Sequence, residues 1–329
     1  MLSVYLVMIV LLALVFDFIN GFHDTANAVA TSISTKALTP RAAIIMAASL
    51  NFIGAVSGTA VAKAIGKGII DPGIIDHHLL IAALLGAIAW NLFTWCYGIP
   101  SSSSHALVGG LIGAAFVSRG LGSLNIEGIK VIIFSLLITP VLAFIVGYIV
   151  MSIFFLIFNN ARPGKLNKVF RKLQIFSAAA AAFAHGSNDA QKSMGIVAMA
   201  LFSAGLLDTF HVPIWVMCAC AIAMAMGTAT GGARIIHTMG TKIFRIEPIN
   251  GFAADISASL VIYGSTLLGH PVSTTHVVSS SIMGVGAAKR FKQVKWTTAQ
   301  QMLMAWIFTI PCTAIVGGLV NFILKLLFG

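Results

Sequence analysis

Charge is what this chain lacks most. Only 9% of its 329 residues are Asp, Glu, Lys or Arg, against about 25% in an ordinary soluble domain. With 58% hydrophobic residues, it has too few charges to cover a water-facing surface, which excludes a soluble globular protein. Cysteine is sparse too. Cys96, Cys218, Cys220 and Cys312 lie in apolar stretches, and no His or carboxylate is spaced to complete a zinc site. All four read as small buried hydrophobes. The apolar run from Met1 to Ile19 has no basic stretch before it and no small-residue cleavage pattern after it, so it reads as a membrane segment and not as a secretory leader. The formal net charge of +11 does not imply nucleic acid. The basic residues sit in loops between apolar segments, as cytoplasmic loops of membrane proteins do.

What abounds is apolar runs of about 20 residues, enough to cross a hydrocarbon core of about 30 Å. The expected fold is therefore an all-α polytopic membrane protein. Segments are expected at 2–35 (interrupted at Asn20-Gly21), 41–62, 79–97, 100–118 and 130–157. A second set follows at 174–203 (interrupted near His185-Gly186), 212–228, 250–268, 271–288 and 299–327. A basic linker, 159–173, divides a first half, 1–158, from a second, 174–329.

The linker holds Arg162, Lys165, Lys168, Arg171 and Lys172 without an acid, so it belongs in the cytoplasm. Alternation then puts Lys36 and Arg41 inside. The loop 229–249 (Arg234, Lys242, Arg245, Glu247) and the loop 289–295 (Lys289, Arg290, Lys292, Lys295) also fall inside. The loop 63–78 falls outside, with Lys63 and Lys67 balanced by Asp71 and Asp76, as does 204–211 with Asp208. Arg234, after Gly231-Gly232-Ala233, marks a cytoplasmic edge. Five crossings per half is an odd number, so the second half is expected upside down relative to the first, with both termini outside. Inverted-topology repeats with broken helices and a site near the midplane are the architecture of secondary transporters.

The scarce intramembrane polarity is duplicated. Gly21-Phe22-His23-Asp24-Thr25-Ala26-Asn27 is answered by Gly186-Ser187-Asn188-Asp189-Ala190-Gln191-Lys192, and Pro100-Ser101-Ser102-Ser103-Ser104-His105 by Pro271-Val272-Ser273-Thr274-Thr275-His276. A carboxylate at the bilayer centre costs about 3 kcal/mol on insertion scales, so Asp24 and Asp189 need a reason. Gly21 and Gly186 are expected to break their helices and free backbone groups. Carboxylate, amide and freed carbonyl together suit a small hard cation, or the carboxylates carry a proton. A structural network, with Asp189 paired to Lys192, is the plain alternative.

Pro100 and Pro271, each at a first helical position and followed by hydroxyls, mark helix starts. Their free N–H groups and positive dipole ends attract anions. Two such hairpin tips facing each other would hold a tetrahedral oxyanion. His105 and His276 sit at matching places as supporting side chains. A Ser/His hydrolase is disfavoured because the pattern occurs in both halves. A channel is disfavoured because the polar residues cluster in patches and do not line stripes.

These four motifs resemble the signatures of the inorganic phosphate transporter (PiT) family, in order and spacing, over essentially the whole chain. The likeness is to its bacterial low-affinity members. It implies a symporter of inorganic phosphate and a cation, Na⁺ or H⁺, working by alternating access in the plasma membrane. It implies no enzymatic activity, no cofactor beyond the coupling cation, and often a homodimer. By the same resemblance, Ser101, Ser102, Ser103, Ser104, Ser273, Thr274, Thr275 and Gln191 are expected on phosphate. Asp24, Asn27, Asp189, Asn188 and Asp255 are expected on the coupling ion, with Asp24 and Asp189 as metal ligands if that ion is Na⁺. His105, His276, His23 and Lys192 are expected behind them. Asp255 stands where the family has an acid, usually Glu; Asn51 stands where some eukaryotic members have Glu, so the acidic pair is incomplete here. A sulfate or metal-phosphate symporter of the same fold is the alternative substrate reading.

Overall fold

The computed structural model describes residues 2–70 and 75–328. Asp71, and the side chains of Arg234 and Lys242, on which part of the loop reading rested, lie outside the described residues. The first half runs α1 (Leu2–Ser34), α2 (Pro40–Ala55), α3 (Ala60–Gly68), α4 (His77–Tyr97), α5 (Ser103–Arg119) and α6 (Ile126–Phe158). The second runs α7 (Pro163–Ser203), α8 (Ile214–Thr230), α9 (Ala233–His237), α10 (Pro248–Leu267), α11 (Thr274–Arg290) and α12 (Trp296–Phe328). The two series match member by member. Each has a second helix that continues through a sharp bend, 67° between α2 and α3 and 72° after α8. Each has a 17-residue fifth helix followed by a short 3₁₀ turn, and a 33-residue last helix with one internal proline, Pro140 or Pro311.

Burial is reversed from that of a soluble protein. Large apolar side chains on α6 and α12, such as Phe134, Leu137, Ile145, Leu303, Ile307 and Phe322, are exposed, while Asp17, Asn20, Asp24, Asn51, Asn91, Asp189, Lys192 and Asp255 are buried. An apolar exterior is what lipid requires, and helices satisfy their own backbone polar groups there. Among the described residues, four helices (α1, α4, α6 and α12) are long and apolar enough to span a membrane alone, and the two bent pairs each qualify as one span. The chain is a multi-pass membrane protein.

Three expectations are corrected. The linker is not a loop: α7 begins at 163, so Lys165, Lys168, Arg171 and Lys172 occupy its first turns and only 159–162 connects the halves. Pro163 stands at the first helical position, where its missing N–H costs nothing, and 165–173 holds no residue that breaks a helix. Cys220 alone is buried; Cys218 and Cys312 are partly exposed and Cys96 is exposed. In lipid, an apolar stretch has an outer face as apolar as its core.

The third correction concerns the glycines. α1 and α7 run through Gly21 and Gly186 without a break. The glycines serve close packing instead. A Cβ on Gly21 would stand 2.3 Å from the Met224 carbonyl of α8, and one on Gly186 would stand 2.2 Å from the Asn51 carbonyl of α2. Small residues at such crossings let membrane helices approach. Gly186→Ala is expected to cost at least about 1–3 kcal/mol, the usual penalty of overpacking, read as a lower thermal unfolding midpoint in detergent.

α1 and α7 lie side by side and run antiparallel. Asp17 meets Ser193, Asp24 comes near His185, and Thr35, just past the end of α1, meets Gln174. As numbers rise along α1 they fall along α7.

Candidate functional site

α5 and α11 begin inside the bundle. Their N-caps are Ser102 and Ser273, which accept the backbone N–H of His105 at 3.1 Å and of His276 at 3.3 Å. Pro100 and Pro271 therefore precede the caps by two residues and do not occupy the first helical position. An extended residue with a side-chain oxygen satisfies the first free N–H groups, which proline cannot do. Ser101 is turned to Thr94, with 2.8 Å between the hydroxyl oxygens. Of the Ser/Thr set, Ser103, Ser104, Thr274 and Thr275 face the centre.

There they meet both aspartates. Asp24 accepts the Thr275 hydroxyl at 3.2 Å on Oδ1 and the Ser103 hydroxyl at 3.3 Å on Oδ2, and its Oδ1 lies 2.6 Å from His23 Nδ1. Asp189 accepts the Lys192 ammonium at 2.6 Å on Oδ1 and the Thr274 hydroxyl at 2.9 Å on Oδ2. His185 Nε2 is 3.3 Å from that second oxygen. The Asn27 amide donates to Thr274 at 3.2 Å and to Thr275 at 3.0 Å. Lys192 also donates to Ser104, whose hydroxyl donates to the Val272 carbonyl. Helices α1, α5, α7 and α11 thus converge on one buried network.

Asp24, His185 and Asp189 each bring a ligand atom within 4.8 Å of the others. Their sequence spacing could not show this, because Asp24 and His185 belong to different halves. The site combines two carboxylates, one ammonium, hydroxyl donors and two helix starts. It can take a mobile cation or proton beside an oxyanion. With Lys192 set against Asp189, Asp24 is the carboxylate without a fixed lysine.

The other expected residues lie around this network. Asn188 steadies the turn before α11: its amide donates to Thr266 at 2.9 Å and accepts the Val272 N–H at 3.2 Å. Gln191 is committed to the start of α3, accepting the Val61 N–H at 2.8 Å and donating to the Ser187 carbonyl at 2.7 Å. Asp255 sits apart, accepting Thr31 at 2.7 Å and Ser177 at 3.0 Å. The His105 and His276 rings stand 4.5 Å apart, and His276 stacks on Trp306. Both line an apolar cavity of about 580 Å³ between α6 and α12, which has none of the charge a phosphate site needs. Asn51 holds His185 in place, 3.1 Å from its Nδ1, and donates to Thr228 at 2.8 Å.

The hydrolase alternative fails geometrically. Ser104 has Lys192 and a carbonyl as partners, and His105 Nδ1 bonds the capping Ser102. Asp17, Thr31 and Thr35 are not among the expected site residues, and Asn20 enters only as part of an expected helix interruption. With Asp24 and Asn27 they form one buried stripe along α1 at spacings of three and four, so the polar residues do line a stripe. That period was readable in the sequence.

Known proteins resemble this chain over nearly its whole length. Residues 20–317 match the model of a family described as "Phosphate transporter family". The chain is 53% identical, over 98% of both chains, to a "Probable low-affinity inorganic phosphate transporter" of Bacillus subtilis (strain 168). It is 44% identical, over 96% of both chains, to a protein of the same name from Rhizobium meliloti (strain 1021). A solved structure titled "The sodium-dependent phosphate transporter" superposes with a TM-score of 0.89, covering 98% of this chain and 99% of that one at 24% identity. That likeness speaks for the fold.

Proposed function

Because this chain belongs to the phosphate transporter family, and is a phosphate transporter and not an enzyme, we propose that it is a secondary-active symporter coupling phosphate to a cation, Na⁺ or H⁺. The observation that carries the proposal is the single buried network joining both aspartates to both hydroxyl-bearing helix starts. A cation or proton at Asp24 would release Ser103 and Thr275 from the carboxylate. Those hydroxyls, with Ser104, Thr274 and the Lys192 ammonium, would then donate to phosphate at the positive ends of α5 and α11.

The antiparallel run of the matching helices α1 and α7 supports halves 1–158 and 174–329 of inverted topology. Rocking of one against the other would open the site to each side in turn. Both termini would lie outside the plasma membrane, with the basic start of α7 inside. A homodimer remains part of the proposal on the strength of the resemblance, and cross-linking in native membranes checks it.

The deciding assay is radiolabelled phosphate uptake into proteoliposomes under an imposed Na⁺ or pH gradient, with sulfate as competitor. Uptake driven by one gradient and unaffected by sulfate is expected. Sulfate uptake in place of phosphate would overturn the substrate. Thr274→Val, which keeps shape but removes the hydroxyl shared by Asn27 and Asp189, is expected to weaken phosphate affinity about 10-fold, equivalent to about 1.4 kcal/mol. The KM for uptake reads this directly.

A further inference from the structure

One buried carboxylate has no part in the central network. Asp17 lies on α1 two turns before Asp24, about 10 Å along the helix. It is fully buried, where α1 packs against α7 and α8. Its Oδ1 accepts the Ser193 hydroxyl of α7 at 2.7 Å. Its Oδ2 has no hydrogen-bond partner among the described residues. One turn further along the same face, Asn20 is also fully buried, and neither its amide oxygen nor its amide nitrogen has a hydrogen-bond partner among the described residues. The Cys220 thiol of α8 faces Asp17, and the nearest charged groups are Asp189 and Lys192 on α7.

The other buried carboxylate outside the central network is better satisfied. Asp255, equally buried, has both oxygens satisfied by hydroxyls. Leaving a charged oxygen without a donor in an apolar interior is costly, and so is leaving a whole amide unpaired. A proton on Oδ2 removes the charge and supplies the missing donor. A metal cation fits worse: the side chains bonded to or facing Asp17 offer one carboxylate, one hydroxyl already donating to it, and a thiol, short of the six or more oxygens that hard cations such as Ca²⁺ collect.

We propose that Asp17 is a proton-binding site for transport, separate from the central network and coupled to it through α7. Ser193, its hydrogen-bond partner, follows Lys192, which holds Asp189 and Ser104. The carboxylate takes one proton as the carrier loads on one side of the membrane and gives the same proton up on the other, so charge and atoms balance over the cycle. This rests on the symport reading above and names H⁺ as a coupling ion.

The test separates exchange from accumulation. Asn mimics the protonated, neutral carboxyl. Proteoliposomes carrying Asp17→Asn should therefore retain phosphate–phosphate exchange within about 3-fold of the parent, but lose pH-gradient-driven accumulation by at least about 10-fold. Asp17→Glu, which keeps a titratable group, should recover accumulation. Ser193→Ala removes the hydroxyl that donates to the ionised form while keeping the carboxyl and the Cys220 thiol, and should move the pH midpoint of uptake upward at nearly unchanged maximal rate. Full pH-driven accumulation by Asp17→Asn would overturn the proposal. So would loss of exchange together with accumulation, or an unmoved pH profile in Ser193→Ala, since either assigns Asp17 a structural role. Accumulation driven only by Na⁺, and lost in Asp17→Asn, would overturn the choice of proton. Failure of the parent protein to carry phosphate under any gradient would instead sink the symport reading, and the role of Asp17 with it.

Discussion

Asp24→Asn should abolish cation-driven phosphate accumulation while leaving the protein at least as stable as its parent. The loss is expected to reach at least about 100-fold, equivalent to about 2.7 kcal/mol. Two observations set this expectation. Asp24 is the meeting point of the two halves' donors, taking Ser103 from α5 and Thr275 from α11. It is also the carboxylate without a fixed lysine, whereas Asp189 has Lys192 at 2.6 Å. Removing its charge removes the reason for a mobile cation to enter. The same change relieves a burden on the fold, since a buried charge costs several kcal/mol more than an amide of equal shape, by order of magnitude. Function and stability should therefore move in opposite directions. The measurements are gradient-driven uptake and thermal unfolding of the same preparation. Phosphate accumulation with unchanged cation dependence in Asp24→Asn would remove Asp24 from the coupling site.

The contrast with Asp255 sharpens this. Asp255 and Asp24 are both intramembrane acids, but only Asp24 belongs to a duplicated motif. Thr31 and Ser177 satisfy Asp255 with hydroxyls from α1 and α7, and the Gln174 amide lies on the same seam. It is a separate cluster about two turns of α1 from the centre, about 10 Å away by helical rise. Asp255→Asn should therefore reduce uptake less than Asp24→Asn does, by about 10-fold or less, with phosphate KM unchanged. An increase in KM equal to that of Thr274→Val would place it on phosphate after all.

Much of this was legible in the residues. The segment positions, the duplicated motifs and the buried helix starts follow from composition, repetition and hydroxyl-rich caps, because each depends on local physics. What was not legible depended on the partner helix. Gly21 and Gly186 read as breakers, since glycine is a poor helix former in isolation; which carbonyl approaches them is known only once α2 and α8 are in place. Gln191, between Asp189 and Lys192 in sequence, was expected on phosphate through the family resemblance. On a helix, neighbours in sequence point to different faces, and Gln191 points at the start of α3. His185 was noted only as nearby polarity, yet it shares a site with Asp24 from the other half. The i, i+3, i+4 polar stripe of α1 is the opposite case. It is written in the sequence, as a period of three and four that runs through the duplicated motif and beyond it on both sides.

The duplication is imperfect at one position, and that position carries the second large prediction. Asn27 in the first half corresponds to Lys192 in the second. Both reach hydroxyls at the helix starts, Asn27 to Thr274 and Thr275, Lys192 to Ser104. Only Lys192 brings charge, and it is fully buried against Asp189. Lys192→Ala leaves the Asp189 carboxylate buried and uncompensated, which costs about 3–5 kcal/mol when one partner of a buried pair is removed. Loss of folded protein and of uptake is expected together. Adding Asp189→Asn removes the stranded charge, and the double variant should regain about 2–3 kcal/mol of that loss, a coupling energy within the range for contacting residues. Transport should not return, because the ammonium that reaches Ser104 is still missing. Recovery of stability and transport together would reduce Lys192 to a counter-charge for Asp189. Recovery of stability alone makes it a donor to phosphate as well, the fixed positive charge that the first half leaves to a mobile ion.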